Sequence, residues 1–306
     1  PNLYEDYTAA PVGDIFRKHD IQFSIYADDT QAYLEFEPDD IHSAIKRLEM
    51  CLEEIRQWMA RNWLKLNDSK TEFIIFGGKK NIDKFKDVTI RLGDSDICQS
   101  ESVKSIGANL DQTLQMDTQI SSICRAAWFF LYQISKIRKY LTEDQAKTAI
   151  HAHVTSRLDF NNSLLAGLPK KRLRPMQLVQ NAAARLITGI KKKEHVTPVL
   201  VKLHWLPVEK RIIYKVLLLA YKAMHGEGPE YLKELLTVYV PSRLLRSSGD
   251  CKLCVPKCRY VETEKRVFGS RAAVEWNKLP VPLRSKTSTD SFKGALKTYL
   301  FKEAYN

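Results

Sequence analysis

The stretch FSIYADDTQAYL (23–34) sets two carboxylates, Asp28 and Asp29, side by side in an otherwise apolar, strand-like run. Adjacent residues of a regular strand point to opposite faces. At a tight turn that rule relaxes, and at least one of the pair can project into a cleft as a metal ligand. Such a ligand suits Mg²⁺, which keeps several waters and takes one or two carboxylates plus substrate phosphates. A two-metal phosphoryl-transfer site holds its ions about 3.5–4 Å apart and recruits carboxylates from more than one segment. Asp is also common in turns for backbone reasons alone. The pair therefore leaves a catalytic metal site and a plain turn both open.

Other residues that could do chemistry are fewer. Cys251, Cys254 and Cys258 (CKLCVPKC) have the spacing of zinc ligands, but a fourth ligand is needed and no Cys or His follows them. Thiols without metal are the default reading. His151 and His153 lie two apart on an expected helix, so they diverge by about 200° and cannot share an ion there. His195, His204 and Trp205 near helix ends read as structural. PKKRLRP (169–175) and KKK (191–193) are basic clusters flanking one expected helix, suited to phosphate contacts or to nuclear import. The competing explanation is a solvated helix end, where lysines after the last turn complement the dipole. Trp128, Phe129, Phe130 and Tyr132 read as packing residues rather than base-stacking platforms. No Ser-His-Asp order, phosphate loop or dinucleotide fingerprint is present.

The elements that must position these residues follow from periodicity. Phe23, Ile25 and Ala27 alternate before the acids, and Leu34 and Phe36 alternate after them, which predicts two strands joined at Ala27–Thr30. Pro38 and Asp39 open a helix whose stripe is Ile41, Ile45, Leu48, Leu52, Ile55 and Met59. Short strands are expected at TEFIIF (71–76), VTIRL (88–92) and SVKSIGANL (102–110). From about residue 117 the pattern turns helical, with Ile120, Cys124, Ala127, Leu131, Ile134 and Ile137 on one stripe. Further helices are expected at 143–158, 173–188, 198–203, 208–225, 229–236, 270–277 and 291–302, with Thr197 capping the one that starts at Pro198. Residues 240–268 read as loops with short strands. The fold class is α+β, a small mixed piece followed by a helical one.

Charge divides the chain in the same way. Lys plus Arg against Asp plus Glu is 5 to 13 in residues 1–60, 9 to 9 in 61–120 and 34 to 14 in 121–306. The last part thus carries +20 of a total of +12, which points to a polyanion partner. With 44% apolar and 27% charged residues the chain has globular composition. Six cysteines in 306 residues are too few for a disulfide scaffold and fit a reducing compartment. The longest apolar run, VLLLAY (216–221), is too short to span a membrane. No signal peptide is visible, so secretion is not expected. The chain begins with Pro rather than Met, as a fragment would.

Tyr26-Ala27-Asp28-Asp29 after apolar residues resembles the palm hairpin of reverse transcriptases. WMARNWLKLNDSKTEFIIFG (58–77) is similar to the next palm block of retrotransposon polymerases, and SVKSIGANLD (102–111) to the primer grip that follows. SRLDFNNSLLAGLPKK, MQLVQNAAARLITG, HVTPVLVKLHWLPVEKRIIYK, WNKLP and FKGALKTYLF resemble the tail of non-long-terminal-repeat retrotransposon polymerases of the jockey-like, long-interspersed type. The resemblance covers essentially the whole chain. It implies a partial palm over 1–115, a helical, basic thumb over 116–238 and a basic C-terminal region with short strands and two helices over 239–306. Asp28 would be a Mg²⁺ ligand, with Asp29 beside it as an active-site neighbour or second ligand. Tyr26 would lie against nucleotide and template-primer, and Lys70 would approach the triphosphate. Lys170, Lys171, Arg172 and Arg174 would bind nucleic acid. The partners implied are an RNA template and a DNA primer, in a nuclear or cytoplasmic ribonucleoprotein. The family places another metal-binding aspartate in an earlier palm strand. None of Asp6, Asp14 and Asp20 stands in that motif, so the expectation is a fragment of an RNA-directed DNA polymerase that is inactive alone and needs the missing palm to use deoxynucleotides. The rival expectation is a non-catalytic nucleic-acid-binding remnant.

Overall fold

The structure, a computed structural model, describes residues 9–27, 29–240, 251–256 and 266–306. Asp6, Asp28 and Cys258 lie outside the described residues. The fold is mixed α+β, with helices predominating. The chain divides into two compact units, Pro1–Gln115 and Met116–Asn306.

In the first unit, α1 (Ala10–Lys18) packs on α2 (Ile41–Arg61), and a short α3 (Lys79–Ile82) follows. Of the stripe expected for α2, Ile41 and Ile55 are buried and Ile45, Leu48, Leu52 and Met59 only partly, while Ala44 and Cys51, not expected on it, are buried. Val12, Ile15 and Phe16 of α1 meet Cys51 and Ile55 in a small core, and Phe16 stacks on Phe23 with ring centroids 5.1 Å apart. Lys18 and His19 both reach Glu54, at 2.7 and 2.8 Å. Those hydrogen bonds, the Lys18 one foremost, hold the Glu54 carboxyl below its usual range.

Among the described residues three separate antiparallel hairpins make up the sheet structure: β1 (Gln22–Tyr26) with β2 (Asp29–Tyr33), β3 (Thr89–Leu92) with β4 (Ser95–Cys98), and β5 (Ser102–Ser105) with β6 (Ala108–Asp111). Each closes on two residues, and two-residue hairpin loops require left-handed backbone. Ala27, Gly93, Ile106 and Gly107 supply it, at φ of 54°, 61°, 42° and 79°. This turn splits SVKSIGANL, which was expected as one strand, into two. TEFIIF is not a strand. Only Phe73 bridges a neighbour, Gln99, and only Ile75 of the run is buried, so one side of the segment has no ladder to join. β2 ends at Tyr33, short of Leu34 and Phe36.

The second unit is helical. α4 (Asp117–Ile137) buries Ile120, Ile123, Cys124, Ala127, Leu131 and Ile134, while Ile137, expected on this stripe, is exposed. A capping box between Thr142 and Gln145 opens α5 (Glu143–Ile150), which runs through a wider π turn (His151–Thr155) into α6 (Ser156–Asp159). α7 (Lys170–Thr188) stops at Gly189, left-handed at φ 73°. α7 lies beside α4, burying Leu173, Met176, Val179, Ala183, Ala184 and Ile187. The two run parallel. Arg172 at the start of α7 pairs with Asp117 at the start of α4, and Arg138 just past α4 donates to the Leu186 and Ile187 carbonyls at 2.8 and 2.6 Å. α8 (Thr197–Lys202) begins one residue earlier than expected, with Val196 as its cap, so Thr197 is already inside the helix.

α9 (Val208–Met224), α10 (Glu230–Glu234), α11 (Phe268–Lys278), α12 (Val281–Arg284) and α13 (Thr289–Tyr305) complete the unit. Leu217 and Tyr221 of α9 share one core with Leu253, Trp276, Leu279, Phe292, Leu296 and Leu300. Tyr221 and Phe292 stack at 4.1 Å, and the Tyr221 hydroxyl donates to the Lys286 carbonyl at 2.9 Å.

Two predictions follow from this packing. A two-stranded hairpin standing alone is marginal in water. Native-state hydrogen exchange should therefore show slower amides in α4, α7 and α9 than in β1–β6, and equal protection would contradict the packing. Arg138→Ala removes a cation that satisfies two end carbonyls of α7. It should lower stability by about 1–3 kcal/mol in denaturant titration, with Arg138→Lys restoring only part because one ammonium cannot reproduce the fork.

Candidate nucleic-acid interface

The YADD hairpin forms, but Asp29 and Thr30, expected in its turn, already belong to β2, with Tyr26 and Asp29 as cross-strand partners at its mouth. Tyr26 is 66% exposed, and Asp29 is exposed beside it. Ala27 sits in the left-handed region, where an L residue other than Gly, Asn or Asp is disfavoured by about 1–2 kcal/mol. Gln31 on β2 donates to the Ser105 hydroxyl at 2.7 Å, tying this hairpin to β5. A Mg²⁺ site needs carboxylates converging from several segments. Among the described residues no three His, Cys, Asp or Glu side chains gather so as to hold a metal, so those residues do not by themselves fit the ion.

Lys70 closes a short 3₁₀ turn (Asp68–Lys70), its amide donating to the Asn67 carbonyl at 3.1 Å. Its ammonium is exposed and has no ion pair or hydrogen bond among the described residues. Among the described residues the structure brings it to no partner in the hairpin. Asp14 lies on α1, paired with Arg17 one turn on.

The basic clusters sit at opposite ends of α7, and the helix dipole treats them differently. Lys191, Lys192 and Lys193 follow the C-terminal end, where positive charge is favoured. Lys170, Lys171, Arg172 and Arg174 crowd the first turn, where each cation costs roughly 0.3–1 kcal/mol. Two of these four are offset: Lys170 pairs with Glu209 at 3.0 Å and Arg172 with Asp117. Lys171 and Arg174 are exposed and carry no ion pair among the described residues. Beside Lys170 opens a cavity of about 210 Å³ floored by Leu173, Ile212, Ile213 and Val216, with Glu209 and Arg271 also on its wall. Of the four cations only Lys170 lines that hollow, while Lys171 and Arg174 are exposed near a helix end that already favours anions.

The cysteine segment has a structural use. Trp276 Nε1 donates to the Cys251 carbonyl at 2.8 Å. Asn277 pairs with Leu253 in both directions, donating to its carbonyl at 2.8 Å and accepting from its amide at 2.9 Å. Leu253 is thereby locked into the core, and Cys251 and Cys254 flank it. Two thiols do not make a zinc site, and Cys258 lies outside the described residues. His153 stacks on Phe130 at 4.9 Å and His151 meets the Trp205 ring at 5.6 Å, so both are used in ring packing. Burial, ahead of the Arg211 charge, lowers the His151 pKa.

One sequence expectation is overturned here. Trp128, Phe129 and Tyr132, read as packing residues, are 46, 56 and 61% exposed. Only Phe130 is partly covered, against His153 and the Arg157 guanidinium. Projecting α4 at roughly 100° per residue would have found this, because 129 falls opposite the Ile120–Ile134 stripe, 132 well off it and 128 at its flank.

Thiol chemistry checks the packing of the first unit and of α4. Burial pushes the Cys51 thiol up to about 11, with the Glu54 charge adding to it, and burial alone pushes Cys124 up to about 11. Cys98 is exposed. At pH 8, iodoacetamide followed by peptide mapping should label Cys98 readily and Cys51 and Cys124 only after unfolding. Rapid labelling of Cys51 in the folded chain would refute its burial. In comparisons with known proteins, no family model matches this chain, and it matches no curated protein and no solved structure.

Proposed function

We propose that this chain is the part of a retrotransposon-type reverse transcriptase that runs from the YADD hairpin onward, and that its own contribution is to bind RNA template and DNA primer. The observation that carries this reading is the ordered series of motifs, starting with YADD on a tight hairpin and ending in a helical, strongly basic second unit. The exposed Tyr26 and Asp29 and the left-handed Ala27 support it, because an unfavourable backbone held at a loop tip is common where geometry serves a site. Lys171 and Arg174 at the N-terminal end of α7 are its phosphate contacts, helped by Lys170 and Arg172. The second reading, binding without catalysis, is favoured by one fact: no described carboxylate joins Asp29 in a metal-holding group. Such a protein belongs in a nuclear or cytoplasmic ribonucleoprotein. No helix among the described residues is long and apolar enough to cross a membrane.

Binding of a fluorescent RNA–DNA primer-template, followed by anisotropy across a salt series, tests the proposal. Affinity should fall with a slope of about −0.9 per neutralised phosphate. Lys171→Gln with Arg174→Gln should weaken every sequence alike and flatten that slope by about 2, one per lost contact. No salt-dependent binding at low ionic strength would overturn the reading. Primer extension by this chain with Mg²⁺ should stay at background, with Asp28→Asn indistinguishable from the parent. Extension abolished by Asp28→Asn would show a complete metal site and overturn the non-catalytic reading.

A further inference from the structure

The helix α4 presents an outward face that its packing does not explain. At roughly 100° per residue, Trp128, Tyr132, Arg125, Lys136 and Phe129 fall within an arc of about 100°. The buried residues Ile120, Cys124, Ala127, Leu131 and Ile134 occupy the other side. Trp128, Phe129 and Tyr132 are about half exposed, and Tyr140, in the turn just beyond, is 74% exposed. Single exposed aromatics are ordinary, but a contiguous set marks an interaction surface. The cations lie among these rings rather than apart from them. Lys136 Nζ stands 4.4 Å from the Tyr132 ring centre and Lys139 Nζ 4.8 Å from that of Tyr140. Between residues 118 and 142 the sequence has four cations, Arg125, Lys136, Arg138 and Lys139, and no acid. Arg138 is committed to the α7 carbonyls, which leaves the other three around the rings.

We propose that this face of α4 is a stacking platform for unpaired nucleobases of single-stranded RNA or DNA. The proposal rests on the reading of the chain as nucleic-acid-binding and adds a second site to the phosphate contacts of Lys171 and Arg174. Flat aromatic faces accept any base, and neighbouring ammonium and guanidinium groups take the phosphates. A protein or membrane partner would also cover the rings. A segment with three cations outside the α7 bonds, two of them over its own rings, and no acid of its own favours the polyanion. Duplex nucleic acid hides its bases in the stack and offers this face only phosphates, so the platform discriminates for single strands.

The test uses the full chain and three labelled 20-nucleotide probes: an oligo(U) strand, an abasic strand with the same phosphates, and a blunt RNA–DNA hybrid. Oligo(U) should bind at least tenfold tighter than the abasic strand. Trp128→Ala, Phe129→Ala and Tyr132→Ala together should remove that advantage and leave hybrid binding within about twofold. Each truncation alone should cost between fivefold and a hundredfold. Tyr132→Phe keeps the ring and should bind like the parent, which separates stacking from loss of fold. Oligo(U) should also quench tryptophan fluorescence by an amount that Trp128→Phe removes. Equal binding of oligo(U) and the abasic strand, or unchanged oligo(U) affinity in the triple variant, would overturn the platform. If Lys171→Gln with Arg174→Gln still weakened all probes, the proposed function would survive that result. Self-association or capture by anionic vesicles that disappears in the triple variant, without a change in oligo(U) affinity, would assign the face to another partner and refute the proposal.

Discussion

The parallel contact between α4 and α7 fixes both surfaces on which a function of the second unit depends. Each helix has one apolar stripe, and burying the two stripes on each other leaves no freedom to turn either helix. The start-to-start pair Arg172–Asp117 and the end-to-end bonds from Arg138 to the Leu186 and Ile187 carbonyls set the offset along the axes. Once stripe and offset are set, Lys171 and Arg174 must face solvent at one end of α7. Trp128, Phe129 and Tyr132 must then face solvent along α4. Apolar burial does most of the stabilising here, at roughly 25 cal/mol per Å². The charged contacts mainly select one alignment among those that the stripes would tolerate.

Electrostatics within α7 separates its two basic clusters. The two basic runs look equivalent as sequence, since each is a dense patch of Lys and Arg. Folded, they differ in sign of effect. Lys191–Lys193 complement the partial negative charge after the last turn, so the helix itself accounts for them. Lys170–Arg174 oppose the partial positive charge of the first turn, and only Glu209 and Asp117 are placed to offset them. An unfavourable arrangement that persists at a surface is explained by an anion that relieves it. Phosphates relieve it twice over, through the side-chain cations and through amides that the helix leaves unpaired.

Long apolar periodicity was the most legible property of this sequence. The stripe of α4 appears where spacing puts it apart from Ile137, and that of α2 in part, because burying a helix face outweighs local preference. The strands were less legible. TEFIIF has strand-like residues but lacks a ladder partner beyond Phe73, and partners are a tertiary matter that composition does not carry. SVKSIGANL bends at Ile106-Gly107, where a β-branched residue takes a left-handed backbone that no propensity scale would assign to it. The aromatics of α4 were misread for a different reason. Aromatic residue type suggests a core, whereas their angular position on the helix places them outside it. Angle decides, because the helix can bury only the side that α7 covers.

The YADD hairpin and the second unit stand on unlike physical footings, and that contrast bears on what each can do alone. The hairpin has exposed residues at most described positions, a turn that starts at a left-handed Ala27, and a side-chain bond from Gln31 to Ser105 of a neighbouring hairpin. Carboxylates used on metal-bound phosphates must be held to within a fraction of an ångström, which needs a rigid supporting shell. Three separate two-stranded hairpins do not provide one. The second unit is built on a larger core, with Tyr221 stacked on Phe292 beside Trp276, an Asn277 clamp on Leu253, and helix ends tied by Arg138. A rigid helical scaffold with outward cations and rings can grip a nucleic acid without further parts. Phosphoryl transfer at Asp29 would require additional carboxylates and additional packing around them, whereas the proposed binding would draw only on the second unit's own scaffold.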